Sequence, residues 1–312
     1  GQLSKRCNYK NNKKDGLTES FLKKGQLRSS KNYKDNKLEG LWESYHSNGQ
    51  LRVSRNYKNG KKDGLHEEHY NNGQLRSKRN YKDGKLDGPW EGYDWDGKLE
   101  SKGNINDGVV DGLWEWYYEN GQLRSKGNYK DGKREDGPSE IYHENGQLRS
   151  KRNYKDGKLD GPWEGYDWDG KLESKGNIND GVVDGLWEWY YENGQLRSKG
   201  NYKDGKREDG PSETYHENGQ LESKGNYKDG YGYEDGYQDG LWKEYHDNGQ
   251  LESKGNYKDG KRDGLWKEYH DNGQLESKGN YKDGKRDGLW EWYHYNGQLW
   301  SKENYKDGKQ IG

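Results

Sequence analysis

Residues 249–272 read GQLESKGNYKDGKRDGLWKEYHDN, and variants of this stretch follow one another along the whole chain. A fixed period of about 24 residues predicts a stacked array, because each repeat can bury its apolar side chains only against its neighbours. We therefore expect residues 1–312 to form one continuous repeat array that is a slice of a longer chain. The repeats begin at Gly1, Gly25, Gly49, Gly73, Gly97, Gly121, Gly146, Gly170, Gly194, Gly219, Gly249, Gly273 and Gly297.

The composition favours a thin aromatic core. Only 25% of the 312 residues are hydrophobic, but 14 Trp and 28 Tyr supply large buried areas per residue. The 55 basic and 56 acidic residues are interspersed, so no long stretch of one sign is available for phosphates or anionic lipid. We expect no nucleic-acid partner and no membrane association from this segment. Cys7 is the only cysteine, which excludes a disulfide framework.

Each repeat contains a hairpin signal. The dipeptide Asn272-Gly273 separates two strand-like stretches, and Asn-Gly is typical of a two-residue type I′ turn. The frequent Gly and Asn argue against helix. The second connection, residues 282–288, is expected to be a polar loop with Gly at its tight points.

The turn sets the register of the strands. With Asn272 and Gly273 as the two loop residues, His270 opposes Leu275, Glu268 opposes Ser277, and Trp266 opposes Gly279. Trp266, Leu275, Gly279 and Tyr281 then share one face, and the Trp266 indole covers Gly279. In the alternative register, a three-residue loop with a bulge places Leu265 and Tyr269 with Leu275 and Tyr281 and turns Trp266 outward beside Lys278.

Other repeats support the first register, because large residues oppose small ones. Trp90 and Trp114 would face Gly103 and Gly127, whereas Thr18 would face Lys31. Trp42, which would face Arg55, is an exception.

The predicted fold class is all-β: an elongated, single-layer, twisted antiparallel meander of β-hairpin repeats. Insertions at Glu135, at Glu208 and within 231–239 all fall between the aromatic stretches, where loops tolerate changes in length. Residues 73–145 recur at 146–218 with one difference, Ile141 against Thr214. Growth by copying favours a function that uses extent of surface over a single catalytic centre.

The pattern GNYKDGKRDGLW at 255–266, followed by Tyr269 and by Asp-Asn-Gly at 271–273, resembles the MORN repeat, in particular the bacterial variant of the YwqK-type antitoxin family. The repeat here is one residue longer, and Trp266 stands where the standard repeat has its second loop-adjacent Gly. The resemblance implies hairpin repeats in an elongated sheet and a role in protein interaction, scaffolding or membrane association. It leaves the compartment open between bacterial cytoplasm and cell surface.

An aromatic ladder is the main candidate site. Trp and Tyr recur three residues apart in most repeats, and the ladder is either the core of the sheet or a partly exposed binding face. Its members are Trp42, Trp90, Trp114, Trp163, Trp187, Trp242, Trp266, Trp290, Tyr45, Tyr93, Tyr117, Tyr166, Tyr190, Tyr245, Tyr269 and Tyr293.

Catalytic, cofactor and metal sites are not expected. Asp259 and Asp263 flank Lys261 and Arg262, so the alternating acids of a calcium loop are missing and turn chemistry explains them. Histidines mostly fall beside the hairpin turn, at a position that Tyr118 or Asp167 also fills, so they favour solvated strand ends over metal ligands. They are His46, His66, His69, His143, His216, His246, His270 and His294.

Three hypotheses for the function follow. The first is a non-enzymatic repeat scaffold that binds a protein partner, possibly in an antitoxin-like role. The second is a structural or surface protein that self-associates through open sheet edges into fibres or an adhesin stalk. The third is glycan binding by the aromatic ladder.

Overall fold

The computed structural model describes residues 3–228 and 236–311, and these form strands and turns with no helix. The chain divides into two compact units, Gly1–Leu148 and Arg149–Gly312. Within each unit, consecutive strands pair antiparallel, so the expected all-β meander of hairpin repeats is confirmed. That all repeats form one continuous array stays a prediction. None of the described residues belongs to a helix that could cross a membrane.

Most repeats contribute two strands. The first unit contains β1 (Lys5–Lys10), β2 (Lys13–Phe21), β3 (Leu27–Lys34), β4 (Lys37–Tyr45), β5 (Leu51–Lys58), β6 (Lys61–His69), β7 (Leu75–Lys82), β8 (Lys85–Tyr93), β9 (Leu99–Asn106), β10 (Val109–Val110), β11 (Gly112–Tyr117), β12 (Leu123–Lys130), β13 (Lys133–Arg134) and β14 (Gly137–Tyr142).

The strands that follow are β15 (Leu148–Lys155), β16 (Lys158–Tyr166), β17 (Leu172–Asn179), β18 (Val182–Tyr190), β19 (Leu196–Lys203), β20 (Lys206–Arg207), β21 (Gly210–Tyr215), β22 (Leu221–Lys228), β23 (Tyr237–Tyr245), β24 (Leu251–Lys258), β25 (Lys261–Tyr269), β26 (Leu275–Lys282), β27 (Lys285–Tyr293), β28 (Leu299–Lys306) and β29 (Lys309–Gln310).

The type I′ turn lies at Asp283-Gly284, not at Asn272-Gly273. Asp283 and Gly284 have φ of 50° and 81°, whereas at the predicted turn only Gly273 has a positive φ, of 80°. There the His270 N–H donates to the Gln274 carbonyl at 2.8 Å, and the Gly273 N–H donates to the His270 carbonyl at 2.8 Å. These bonds close a three-residue loop with Gly in the left-handed region, so the predicted two-residue turn is wrong.

The predicted pairing nevertheless holds along most of the hairpin. Trp266 pairs with Gly279 and Glu268 pairs with Ser277, as expected. Next to the loop the prediction is wrong, because Tyr269 rather than His270 pairs with Leu275. A bulge on the returning strand takes up the extra loop residue and restores the register.

The expected polar loop at 282–288 is also wrong. The chain turns at Asp283-Gly284, and β27 begins at Lys285. Further along, three residues of β27 from Gly288 to Trp290 lie opposite Gly279 alone, because Lys278 pairs with Glu291 and Asn280 with Asp287. Gly288 accommodates this bulge with φ of 82°.

The insertions affect the strands differently. Glu135 separates β13 from β14, and its N–H donates to the Asn128 carbonyl at 2.9 Å. Glu208 does the same between β20 and β21, where its N–H donates to the Asn201 carbonyl at 2.9 Å. Of the third insertion, residues 231–235 lie outside the described part of the chain, and Tyr237 begins β23.

Candidate binding surface

The aromatic ladder separates onto two faces of the sheet. Trp and Tyr of one repeat are three residues apart on a strand, so their side chains point to opposite sides. Trp290 contacts Trp292 with ring centroids 5.9 Å apart, whereas the Tyr293 hydroxyl donates to Glu291 at 2.7 Å. We call the side with Ser277, Gly279, Trp290 and their equivalents the tryptophan face. The side with Lys278, Glu291, Tyr293 and their equivalents is the ion-pair face.

On the tryptophan face, each well-buried indole lies on a glycine of the preceding strand. A methyl group added at Gly279 would overlap the Trp290 ring, and the Trp290 Nε1–H donates to the Asn280 carbonyl at 3.1 Å. The expected cover of Gly279 by Trp266 is therefore wrong, since Trp266 covers Gly255. The same arrangement is found at Trp114, Trp187, Trp242, Trp266 and Trp290, which are 8%, 6%, 3%, 1% and 0% exposed.

The remaining ladder tryptophans lack this glycine. Trp42, Trp90 and Trp163 pair on their preceding strands with Lys31, Arg79 and Arg152, and all three indoles are half-buried. The Trp42 Nε1 is buried without a hydrogen-bond partner among the described residues. A long side chain on the preceding strand thus keeps the indole from settling onto the backbone.

Neighbouring rings connect the buried indoles into a core. The Tyr281 ring meets Trp290 edge-on at 5.0 Å, and the Arg286 guanidinium lies 4.5 Å from the Trp290 ring. Similar contacts connect Tyr227, Trp242, Tyr257, Trp266, Tyr281, Trp290, Trp292 and Tyr305. Ring pairs of this geometry stabilise by about 0.5–1.5 kcal/mol beyond their buried area. The tryptophan face therefore serves as the core.

His66 takes the tryptophan position of its repeat. It is 2% exposed and its ring stacks on Tyr81 at 5.3 Å. Burial, together with Arg55 and Arg79, lowers the His66 pKa to about 4, although Glu68 opposes the shift.

On most strands of the ion-pair face, Glu and Lys alternate along a row that crosses the sheet. Glu291 accepts from Lys278 at 2.6 Å and from Lys302 at 2.5 Å. Hydrogen bonds from Lys278, Lys302 and Tyr293 lower the Glu291 pKa to about 2. Burial, and then the hydrogen bond to the nearby Glu, raises the pKa of the equivalent tyrosines Tyr45, Tyr93 and Tyr166 to about 12.

Reading single stretches of the sequence misses two features of this face, its exposed leucines and its row of charges. Leu41, Leu113, Leu186, Leu241, Leu265 and Leu289 are 42–52% exposed, one per repeat, immediately before the tryptophan. Comparing the same repeat position across neighbouring strands would have revealed both them and the charge row. A linear scan for charged stretches does not, because paired residues are more than ten positions apart.

Side chains at the turns link successive repeats. Asn272 Nδ2 donates to the Tyr295 carbonyl at 2.8 Å, and His270 Nε2 lies 3.2 Å from the Tyr293 carbonyl. The Tyr118 hydroxyl donates to the Tyr142 carbonyl at 2.8 Å. Either His or Tyr can therefore occupy this position, because both side chains reach the carbonyl of the next repeat. Within the described ranges no group of three His, Cys, Asp or Glu side chains could hold a metal ion.

Two turns break this pattern. Asp94 and Asp96 replace the His or Tyr and the Asn of other repeats, and an ionised carboxylate cannot donate. Asp94 Oδ1 accepts instead from the N–H groups of Asp96 and Lys98 at 2.9 and 2.8 Å. A cavity of about 660 Å³ lies beside Asp94, and one of about 680 Å³ lies beside the equivalent Asp167.

Comparison with models of protein families identifies the family of these repeats. The model of the MORN repeat variant matches nine segments that together cover more than half of the chain: 38–59, 62–83, 110–131, 135–156, 183–204, 208–229, 238–259, 262–283 and 286–307. The chain belongs to the MORN repeat variant family. Repeats of this family are typically protein-interaction or binding repeats.

Other comparisons add little to this MORN assignment. No curated protein matches the chain. One similar structure is a crystal structure of TcdB2–TccC3. The alignment covers 93% of the present chain and 19% of the TcdB2–TccC3 chain, at 12% identity and a TM-score of 0.19. Another is a Tc holotoxin pore of Photorhabdus luminescens. Here the alignment covers 91% of the present chain and 18% of the holotoxin chain, at 13% identity and a TM-score of 0.20. The chain thus spans about a fifth of these structures, and such TM-scores identify neither a shared fold nor a shared function.

Proposed function

We propose that this MORN repeat chain is a non-enzymatic scaffold that binds a protein partner through its ion-pair face. The observation that carries the proposal is the row of exposed leucines on that face. Leu241, Leu265 and Leu289 are 52%, 51% and 47% exposed, whereas the tryptophans that follow them are almost fully buried. Because these leucines recur on one face, they can form the apolar centre of a protein-protein interface, with the neighbouring charged side chains as its polar rim.

A pull-down from lysate of the source cells tests this proposal. The immobilised wild-type chain should capture a partner, and Leu241→Ser/Leu265→Ser/Leu289→Ser should lose it. Val109→Ser/Val182→Ser is the matched control, because it removes exposed apolar side chains outside the leucine row. Equal capture by wild type and the leucine variant, or no specific capture by wild type, would contradict the proposal.

The finer form of the proposal is an antitoxin-like role, in which the partner is a toxin. It is supported only by the resemblance of the repeats to the YwqK-type antitoxin family. Its test is whether co-expression of the chain relieves the toxicity of a captured partner, and a captured protein that is harmless alone would refute it.

Fibre or stalk formation and glycan binding are the competing proposals. Lengthening of particles with concentration in X-ray scattering supports self-association through sheet edges, and strict monomers refute it. Glycan binding would use rings that remain accessible, such as those of the half-buried Trp42, Trp90 and Trp163. A negative glycan array at high ligand concentration would refute it.

A further inference from the structure

The charge row of the ion-pair face changes its pattern on five consecutive strands. Elsewhere in the second unit Glu and Lys alternate, as at Lys175–Glu188 and Lys199–Glu213, with N–O distances of 2.8 and 2.6 Å. From β22 to β26, every residue of the row is lysine. These are Lys224, Lys243, Lys254, Lys267 and Lys278, and each pairs directly with the next across the sheet.

This lysine row works against the stability of the sheet. Like charges directly opposite each other on neighbouring strands are destabilising. Lys278, at one end, is neutralised by Glu291 at 2.6 Å. Among the described residues, no carboxylate lies within ion-pair distance of Lys243, Lys254 or Lys267. Single Lys–Lys pairs also occur at the Asp-Gly turns, as at Lys258 and Lys261, whereas this row places five lysines in succession on one face.

The geometry of the row suits an extended chain. Neighbouring strands lie about 4.8 Å apart, so five strands place their lysines along about 19 Å. Six residues of an extended peptide span about the same length, with side chains of one face about 6.7 Å apart. Three carboxylates on one side of such a peptide can therefore lie among five lysines, whose flexible stems take up the difference in spacing.

Apolar surface adjoins the lysines. Leu241 and Leu265 lie two residues before Lys243 and Lys267 on the same face, and both leucines are about half exposed. A depression of about 320 Å³ is lined by Pro211 and Leu241 together with Lys224. An occupant that matches this surface carries apolar side chains beside its acids, which distinguishes it from a bare polyanion.

We propose that the lysine row on β22–β26, with Leu241 and Leu265, binds an extended acidic and apolar segment of a partner protein. This inference rests on the proposed function and specifies which part of the ion-pair face is used and by what chemistry. Charge complementarity relieves the repulsion among the lysines, and the leucines bury apolar side chains of the segment.

Two substitutions separate binding from folding. Lys243→Glu/Lys267→Glu restores the alternation of the row, so the variant should unfold at higher urea concentration than wild type while losing the ligand. A residue needed only for structure would show the opposite change in stability. Lys261→Glu/Lys285→Glu is the matched control, because it changes the net charge equally at exposed lysines outside the row.

The probe is a synthetic twelve-residue peptide, three repeats of Glu-Leu-Glu-Ser, and binding is measured by fluorescence anisotropy. Wild type and the control should bind it with similar affinity, and Lys243→Glu/Lys267→Glu should bind at least about tenfold more weakly, because two charges that attract the acidic peptide are replaced by two that repel it. Replacing the peptide's Glu by Gln should abolish binding, and added salt should weaken it.

Three results would overturn the inference. They are unchanged peptide binding by Lys243→Glu/Lys267→Glu, no binding by wild type, and tighter binding of a single-stranded oligothymidylate or of phosphatidylserine vesicles than of the peptide. If the peptide fails while the leucine variant still loses a partner in the pull-down, only the lysine row is refuted. If the pull-down fails as well, the proposed function is refuted with it.

Discussion

The indole of Trp290 lies on the backbone of Gly279, one strand before it, and its Nε1–H donates to the carbonyl of the next residue, Asn280, at 3.1 Å. Glycine at this position removes the Cβ that would hold the ring away, and the main-chain carbonyl satisfies the only polar atom of the indole. Pairing a tryptophan on one strand with a glycine on the strand before it thus gives a sheet of hairpins its core.

At the half-buried Trp42, a single substitution on the preceding strand should produce the same packing of an indole on a glycine. Lys31→Gly should let the Trp42 indole settle on β3, with Nε1–H donating to the Asn32 carbonyl. NMR hydrogen exchange should then show one additional protected indole N–H, whereas Lys31→Ala, which keeps a Cβ, should show none. Equal protection in both variants would refute the requirement for glycine.

A single substitution should likewise add one of the hydrogen bonds by which an Asn side chain joins successive turns. Asp96→Asn supplies the amide donor that Asn72 and Asn120 use in neighbouring turns, so the free energy of unfolding should rise by about 0.5–1.5 kcal/mol. Asp247→Asn makes the same charge change in a turn that already has its Asn248, and should leave stability nearly unchanged. Equal shifts in urea unfolding would attribute the gain to net charge instead.

Acid should unfold the protein partly through Glu291. Its pKa of about 2 in the folded chain lies below the value of about 4.3 for an unfolded Glu, so its stabilisation is complete above pH 4.3 and is lost as the pH falls towards 2. Glu291→Gln should lower stability at pH 6 and flatten the decline between pH 4.3 and 2, measured by thermal unfolding. The exposed Glu276→Gln should follow the wild-type profile, and an equally steep decline in Glu291→Gln would contradict this assignment.

Periodicity predicted the strands and the pairing of Trp266 with Gly279, because a regular repeat of large and small residues specifies register even where the loop is misjudged. The turns could not be assigned from the dipeptides alone, since both Asn272-Gly273 and Asp283-Gly284 suit a type I′ turn. The side chain of Asn272 instead fixes its conformation. Its Oδ1 accepts a hydrogen bond from the Gln274 N–H at 2.9 Å, and its Nδ2 donates to the Tyr295 carbonyl in the next turn. The lysine row is visible when the same repeat position is compared along the chain, but a linear scan for charged stretches misses it, because its members are more than ten residues apart.

The rigid indole on its glycine, and not glycine itself, makes the position intolerant of a side chain. Urea unfolding of Gly279→Ala and Gly200→Ala tests it most directly, because neither glycine has a positive φ and a methyl group at Gly200 would meet only the movable end of Arg207. Overpacking against Trp290 should cost about 1–3 kcal/mol in Gly279→Ala, while Gly200→Ala should change stability by less than about 0.5 kcal/mol. Equal losses in the two variants would contradict the account.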